Sequence, residues 1–399
     1  MTNLRQPMPS SARALGPDLA RGFMLLFIAL ANSHYFLRGS SVLGGYPQDG
    51  SAADSAVTWL TSTFVDGRAF PMFGVLFGYG IARIAQRQEA SGRRAVRRLL
   101  WRRSLVLVLV GFLHALLLYV GDILAAYGVL LFVGAWLVRW RDRWLVLTAL
   151  LFFLLGALPS PDSSTISRDQ PDVSMLPPDL LTMLVERPQV SLFVAFLGPL
   201  GFVCPFVIGV LMGRRRILER PERHRTLLRV AAAVGIGGAV LGAQPISLML
   251  AGVVAPPDQP WLERLGPLHD ATGVLGGVGY AALLSLIALR VQSHRGPVVN
   301  AIASVGQRSM TCYLAQSVVW AVAFNPFLLD LSGTLTVAST ALLAAATWLI
   351  TVVLAEWMQR SGRRGPFETL IRRVTYGPPD PLLPLRSGRS GTASRAPGG

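Results

Sequence analysis

Lysine is absent from this 399-residue chain: all 37 basic residues are arginine, and charged residues of every kind make up only 15%. That bias, with the abundance of Ala, Gly and Pro, points to a GC-rich bacterial genome and carries no mechanism of its own. Histidine and cysteine are nearly as scarce, at five and two. The histidines do not approach the spacing of a metal site, so no metal is expected. Cys204 and Cys312 lie in separate apolar runs, which gives neither a disulfide framework nor a ligand pattern; they read as small buried hydrophobes. No Gly-Xaa-Ser-Xaa-Gly elbow is present to seat a nucleophilic serine. The glycines clustered at 235–242 and 273–279 have no strand before them and no Lys-Ser/Thr after them. They read as close-packing positions between helices, not as phosphate loops.

What the chain has instead is apolar length. Hydrophobic residues are 52% of it, which places it in the membrane class. A formal charge of +16 would ordinarily raise nucleic acid as a partner. Here the arginines sit in short loops between apolar runs and nothing resembles a recognition module, so no nucleic-acid partner is expected. At about 20 residues per crossing, the hydropathy pattern predicts an all-α polytopic membrane protein of about ten transmembrane helices, near 19–37, 68–85, 104–120, 122–138, 144–158, 191–213, 227–252, 269–290, 300–324 and 335–356. Arginine gathers in the alternate loops around 86–103, 139–143, 214–229 and 290–298 and after Arg360. Arginine bias marks the cytosolic side, which predicts both termini in the cytosol. No small-residue cleavage site follows the first run, so that run is expected to stay as an anchor.

Four regions follow: a flexible cytosolic start over 1–17, a helical bundle over 18–360, a cytosolic amphipathic helix over 361–377 and a disordered tail over 378–399. In the third, Leu370, Ile371 and Val374 oppose Arg372 and Arg373, a pattern suited to an anionic lipid surface. Residues 52–65 read as a short helix on the opposite membrane surface. The Pro-, Ser- and Asp-rich stretch 159–188 reads as an irregular, mobile outer loop.

Ionisable groups inside such runs are functional candidates, because charge in hydrocarbon costs at least about 2.5–3.5 kcal/mol per group. Asp18 and Arg21 open the first run, as a helix cap and a snorkelling cation or as a binding pair. Arg21 and Asn32 stand three turns apart, on one face with Leu25 and Ile28. Asp66-Gly67-Arg68 opens the second run at its outer end. Arg68 breaks the charge trend there and needs a counter-charge, for which Asp66 or Asp122 is expected. His114 lies on the Arg103 face of its helix, about 16 Å farther into the bilayer. The Gly121-Asp122 turn brings the Asp122 carboxylate beside it, an arrangement suited to a general base. His269-Asp270 reads as a cap at the outer start of the eighth run. In the ninth, Tyr313, Gln316 and Trp320 share one face and Arg308 and Thr311 another, as cavity lining or as packing.

Taken in order, the Asp18–Gly22 opening, the run from Phe64 to Gly78, His114 with the run from Gly121 to Tyr127, the run from Gly306 to Ser317 and the run from Gly365 to Gly377 resemble the YeiB-like family of bacterial inner-membrane proteins. Departures from its commoner pattern are Asp66 in place of glutamate, Pro71 early in the second run and Cys312 in place of asparagine. The last removes a polar group from the ninth run. The family is distantly similar to transmembrane acyltransferases that act on sugars, such as the heparan glucosaminide acetyltransferase type. Asp18 and Arg21 match that group's Asp-x-x-Arg-Gly opening, and His114 stands for its intramembrane histidine. The resemblance implies a multi-pass protein of the bacterial cytoplasmic membrane that moves an acyl group from cytosolic acyl-CoA, a co-substrate and not a tightly held cofactor, to an envelope lipid or glycan acceptor. His114 and Asp122 would be catalytic, and Asp18, Arg21, Asn32, Asp66, Arg68, Tyr313 and Gln316 would bind substrate. The alternatives are a transporter or export-associated protein, in which the same buried charges form a path, and an accessory subunit without chemistry.

Overall fold

The computed structural model describes residues 14–377. The tail over 378–399 and the first thirteen residues, expected to be flexible, lie outside them. Thirteen α-helices are described: α1 (Leu15–Ser33), α2 (Ala52–Phe64), α3 (Ala69–Arg87), α4 (Arg93–Leu117), α5 (Leu124–Leu137), α6 (Asp142–Gly156), α7 (Leu180–Arg214), α8 (Arg225–Leu250), α9 (Gln259–Val291), α10 (Pro297–Gln307), α11 (Ser309–Phe324), α12 (Val337–Arg360) and α13 (Pro366–Tyr376). One departure from an all-α chain is a two-residue antiparallel hairpin, β1 (Val42–Leu43) and β2 (Tyr46–Pro47). Six helices are long and apolar enough to cross a membrane: α1, α4, α7, α8, α9 and α12; α5 and α11 are apolar but shorter.

Each of the ten apolar runs falls on helix, with four corrections. Residues 14–17 are not a loose lead, because α1 already begins at Leu15. The stretch expected as loop up to Pro188 ends at Asp179, whose carboxylate accepts the Thr182 amide at 2.8 Å and starts α7 there. Pro188 then lies inside the helix. Likewise α9 begins at Gln259, a decade before the expected cap at His269. The ninth run is two helices, broken at Arg308, whose backbone (φ −119°, ψ 30°) leaves helical geometry.

The outward surface follows the lipid-facing rule. Leu105, Leu109, Leu113 and Leu117 form an exposed stripe along α4, while Leu107, Val110 and His114 on its other side are buried. That helical period puts His114 toward protein. Inside, α1 is central, packing on α3, α9, α10 and α12, with the α8–α9 and α3–α7 pairs most extensive. Those pairs touch backbone to backbone. A Cβ at Gly78 would overlap the Phe206 carbonyl, one at Gly209 the Val75 carbonyl, and one at Gly235 the Leu275 carbonyl. Gly237, by contrast, meets nothing, so not every glycine of its cluster serves packing.

Residues 159–179 are tied down and not loose. The Gly44 amide donates to the Ser167 carbonyl at 2.7 Å, and the Ser163 and Thr165 hydroxyls reach Asp270 at 3.4 and 3.1 Å. Arg187, 1% exposed, donates to the Ser174 carbonyl at 2.9 Å and to Asn325 Oδ1 at 3.2 Å. Elsewhere in the bundle, α13 is fastened by Glu368. Its carboxylate accepts the Met310 and Thr311 amides at 2.9 and 3.1 Å and the Thr311 hydroxyl at 2.5 Å. An acid thus caps the exposed amides of α11 from another helix, where charge and dipole agree.

Candidate functional site: two cavities meeting at Tyr313

Two cavities enter the bundle from opposite ends. The inner one, about 540 Å³, opens among the arginine-rich loops, and the outer one, about 290 Å³, lies beneath the tied-down strap. One face of α1 walls both, as the spacing of Arg21 and Asn32 predicts: Asp18, Arg21 and Leu25 line the inner cavity, Ile28 and Asn32 the outer, joined there by Tyr35 just past the helix end. α3 does the same, with Phe70 on the outer cavity and Phe73 on the inner.

The inner cavity is cationic at its mouth, with eight arginines against Asp18, Glu219 and Glu368 among its lining residues. Asp18 and Arg21 face each other at 3.4 Å, and Arg83 pairs with Glu219 at 2.9 Å. Arg308, at the break between α10 and α11, donates to Gln359 Oε1 and the Arg363 carbonyl, both at 2.8 Å. Tyr376 of α13 also lines the mouth. Burial raises its hydroxyl pKa, partly offset by Arg103 and Arg87. Other lining residues are apolar, Met24, Leu25, Phe73, Phe77 and Leu107 among them. Arginine guanidinium suits phosphate, and apolar walls suit a hydrocarbon chain, so the cavity matches a phosphorylated amphiphile.

Beside Tyr313, which lines both cavities, lies the dyad. His114 Nδ1 and Asp122 Oδ1 are 2.8 Å apart, with both side chains 1% exposed. The other Asp122 oxygen accepts the Ala125 amide at 2.8 Å, so the carboxylate is held by the start of α5 while it holds the imidazole. With Nδ1 donating, Nε2 carries the lone pair, and that nitrogen has no hydrogen-bond partner. The His114 ring sits 5.0 Å from that of Tyr313. Neither His114 nor Asp122 lines a cavity wall; Tyr313, Ile123 and Leu124 do.

Asp66 and Arg68 do not join that dyad. Arg68, 0% exposed, makes no ion pair within 4 Å of either carboxylate; it donates to the Ser62, Asp66 and Ala239 carbonyls and to His269 Nε2 at 2.8 Å. Gly67, at φ +70°, turns the chain between the two residues, and the Arg68 guanidinium meets the Asp66 backbone carbonyl, not its carboxylate. Asp66 lines the outer cavity, with Oδ2 accepting the Tyr46 hydroxyl at 2.5 Å and Oδ1 unpartnered. Burial first, then the Asp66 carboxylate, pushes the Tyr46 hydroxyl pKa well up, so it stays a donor.

The expected role of His269 as a helix cap is overturned. It is buried within α9, accepts from Arg68, and its Nδ1 stands 3.3 Å from Asp270 Oδ1. His269 and Asp270 both line the outer cavity. Gln316 is buried with its Nε2 unpartnered and lines neither cavity. Among the described residues no group of three or more His, Cys, Asp or Glu could hold a metal ion. Cys204 and Cys312 are buried and free. The break at Arg308 and the cap that Glu368 gives α11 have no signature in local spacing, although both residues lie in the motif runs.

Comparison with known proteins gives the same resemblance along most of the chain. Residues 212–378 match the family described as "Protein of unknown function (DUF418)". The chain is 26% identical to the "Uncharacterized protein YxaH" of Bacillus subtilis (strain 168), over 93% of this chain and 96% of that protein. It is also 26% identical to the "Uncharacterized protein YeiB" of Escherichia coli (strain K12), over 92% and 97% respectively. The YeiB-like resemblance therefore holds from one end of the bundle to the other. None of these names carries an activity.

Proposed function

We propose that the protein is an acyltransferase of the bacterial cytoplasmic membrane that passes an acyl group from cytosolic acyl-CoA to a lipid or glycan acceptor on the other side. The supporting observation is the buried His114–Asp122 pair, with Nε2 free, packed against Tyr313, which lines both an arginine-lined cavity and one that holds Asp66 and Asp270. In this mechanism the CoA phosphates rest on the inner arginines and the acyl chain lies along Leu25, Phe73 and Leu107. The acceptor occupies the outer cavity, near Asn32 and Asp66. His114 Nε2 takes the proton of the acceptor hydroxyl or amine as its heteroatom bonds the thioester carbonyl carbon. The C–S bond then breaks, and the proton passes to the departing CoA thiolate. Asp122 keeps the imidazole oriented and steadies its charged form. Arg21 contributes to donor binding. The accessory-subunit alternative needs none of this geometry.

A transporter is favoured by one observation, the break of the ninth run at Arg308 beside a cavity, since interrupted helices commonly frame transport sites. Purified protein in liposomes separates the two. Covalent transfer of label from acyl-CoA to an envelope lipid or glycan fraction is the expected result; flux of an unmodified solute with no covalent product would sink acyl transfer.

The same proposal includes ten crossings with both ends cytosolic, resting on the alternation of arginine between loops. Cysteines placed at the exposed positions Asp162 and Asp258 are expected to react with an impermeant reagent in intact cells, and those at Arg94 and Arg216 are not. Reaction at the second pair would overturn the orientation.

A further inference from the structure

We propose that Tyr313 is the gate between the two cavities: its side chain alone keeps them apart, and its displacement joins them into one passage that also uncovers His114. Among the described residues Tyr313 is the one that lines both cavities. Around it the walls change sides within a single step of sequence: Ile123 faces the outer cavity and Leu124 the inner. The ring is 5% exposed and packs 5.0 Å from the His114 ring, so it covers the dyad as well as the partition.

Its position in the chain suits movement. Tyr313 lies in the second turn of α11, just past the break at Arg308, where the helix no longer continues α10. The start of α11 is held from outside itself, by Glu368 of α13 on the Met310 and Thr311 amides. A shift of α13 is therefore passed to the first turns of α11, one turn from the gate. A closed Tyr313 keeps the cationic inner cavity and the acidic outer cavity separate, and an open one brings a reacting group to Nε2. The inference goes beyond acyl transfer, because a gate between these cavities serves group transfer and solute passage alike.

The test reads access, not turnover. Asn32 lines the outer cavity and Gly80 the inner, where an added Cβ meets only the end of the Arg21 side chain. In full-length protein in sealed vesicles, Asn32→Cys is exposed to sulfonatoethyl methanethiosulfonate from the arginine-rich side. Gly80→Cys is exposed to trimethylammonium-ethyl methanethiosulfonate from the opposite side. The buried Cys204 and Cys312 set the background. Slow modification is expected with Tyr313 or Tyr313→Phe in place, and modification at least about 10-fold faster with Tyr313→Ala or Tyr313→Leu. Leucine retains enough bulk to keep the fold if alanine does not. Equal rates with tyrosine, alanine and leucine, or fast modification with tyrosine or phenylalanine, would overturn the gate. Since no substrate is present, neither result depends on the activity being acyl transfer.

Discussion

His114→Ala is expected to lower acyl transfer by about 10²–10⁴-fold, the usual cost of removing a positioned general base, while protein abundance and membrane insertion stay at wild-type level. The side chain supports little else. Its single hydrogen bond is to Asp122, and Asp122 has a second partner in the Ala125 amide that remains when the imidazole is gone. Asp122→Asn is expected to be damaging too, because an amide at Oδ1 can present the wrong polarity to Nδ1 and turn the lone pair away from the reacting centre. It should also move the pH dependence of the rate, which a purely structural role for Asp122 would not do. Arg21→Ala differs in kind: a residue at the inner mouth is expected to raise KM for the acyl donor more than it lowers kcat. The measurement is product formation by purified protein, normalised to protein level. Wild-type activity in His114→Ala at normal abundance would remove the central residue from the mechanism and move the protein toward the transport alternative.

The dyad could be read from sequence because it is a local structure. A tight turn at Gly121-Asp122 leaves little freedom in how two antiparallel helices begin, so the carboxylate had to fall near His114. The face shared by Arg21 and Asn32 follows equally from helical period, and the structure finds it lining both cavities. Long-range choices left no such trace. Charge alone pairs Arg68 with Asp66 or Asp122, but a left-handed glycine separates the first two and the Tyr46 hydroxyl, from a hairpin some twenty residues earlier, takes the Asp66 carboxylate instead. Hydropathy does not register the break at Arg308, since the residues on both sides are equally apolar. In sequence His269 reads as a cap because the apolar run begins there; α9 starts earlier with Pro260 in its first turn. The bridging place of Tyr313 depends on where α1, α3, α5 and α11 meet, which no local spacing encodes.

Arg68→Ala is expected to be the opposite of His114→Ala, with stability lost first and activity only as a consequence. The guanidinium is 0% exposed and joins three elements: it donates to the Ser62 carbonyl near the end of α2, the Ala239 carbonyl in α8 and His269 Nε2 in α9. Since His269 Nε2 accepts from Arg68, its Nδ1 carries the proton toward Asp270, whose other contacts are the Ser163 and Thr165 hydroxyls of the strap. Arg68 therefore stands at the base of a chain of polar contacts that ends in the roof of the outer cavity. Removing it strands buried acceptors, each at roughly 1–3 kcal/mol, and leaves a void that adds to the cost. The sum, about 3–5 kcal/mol, lies at the upper end of single-substitution effects. A lower thermal midpoint in detergent and reduced abundance in membranes are expected, with Arg68→Lys intermediate because an ammonium keeps the charge but cannot span donors in a planar fork. His269→Ala is expected to share part of the loss. Wild-type thermal stability and abundance in Arg68→Ala would mean that the outer cavity does not depend on this network, and that the arginine is free to serve a ligand instead.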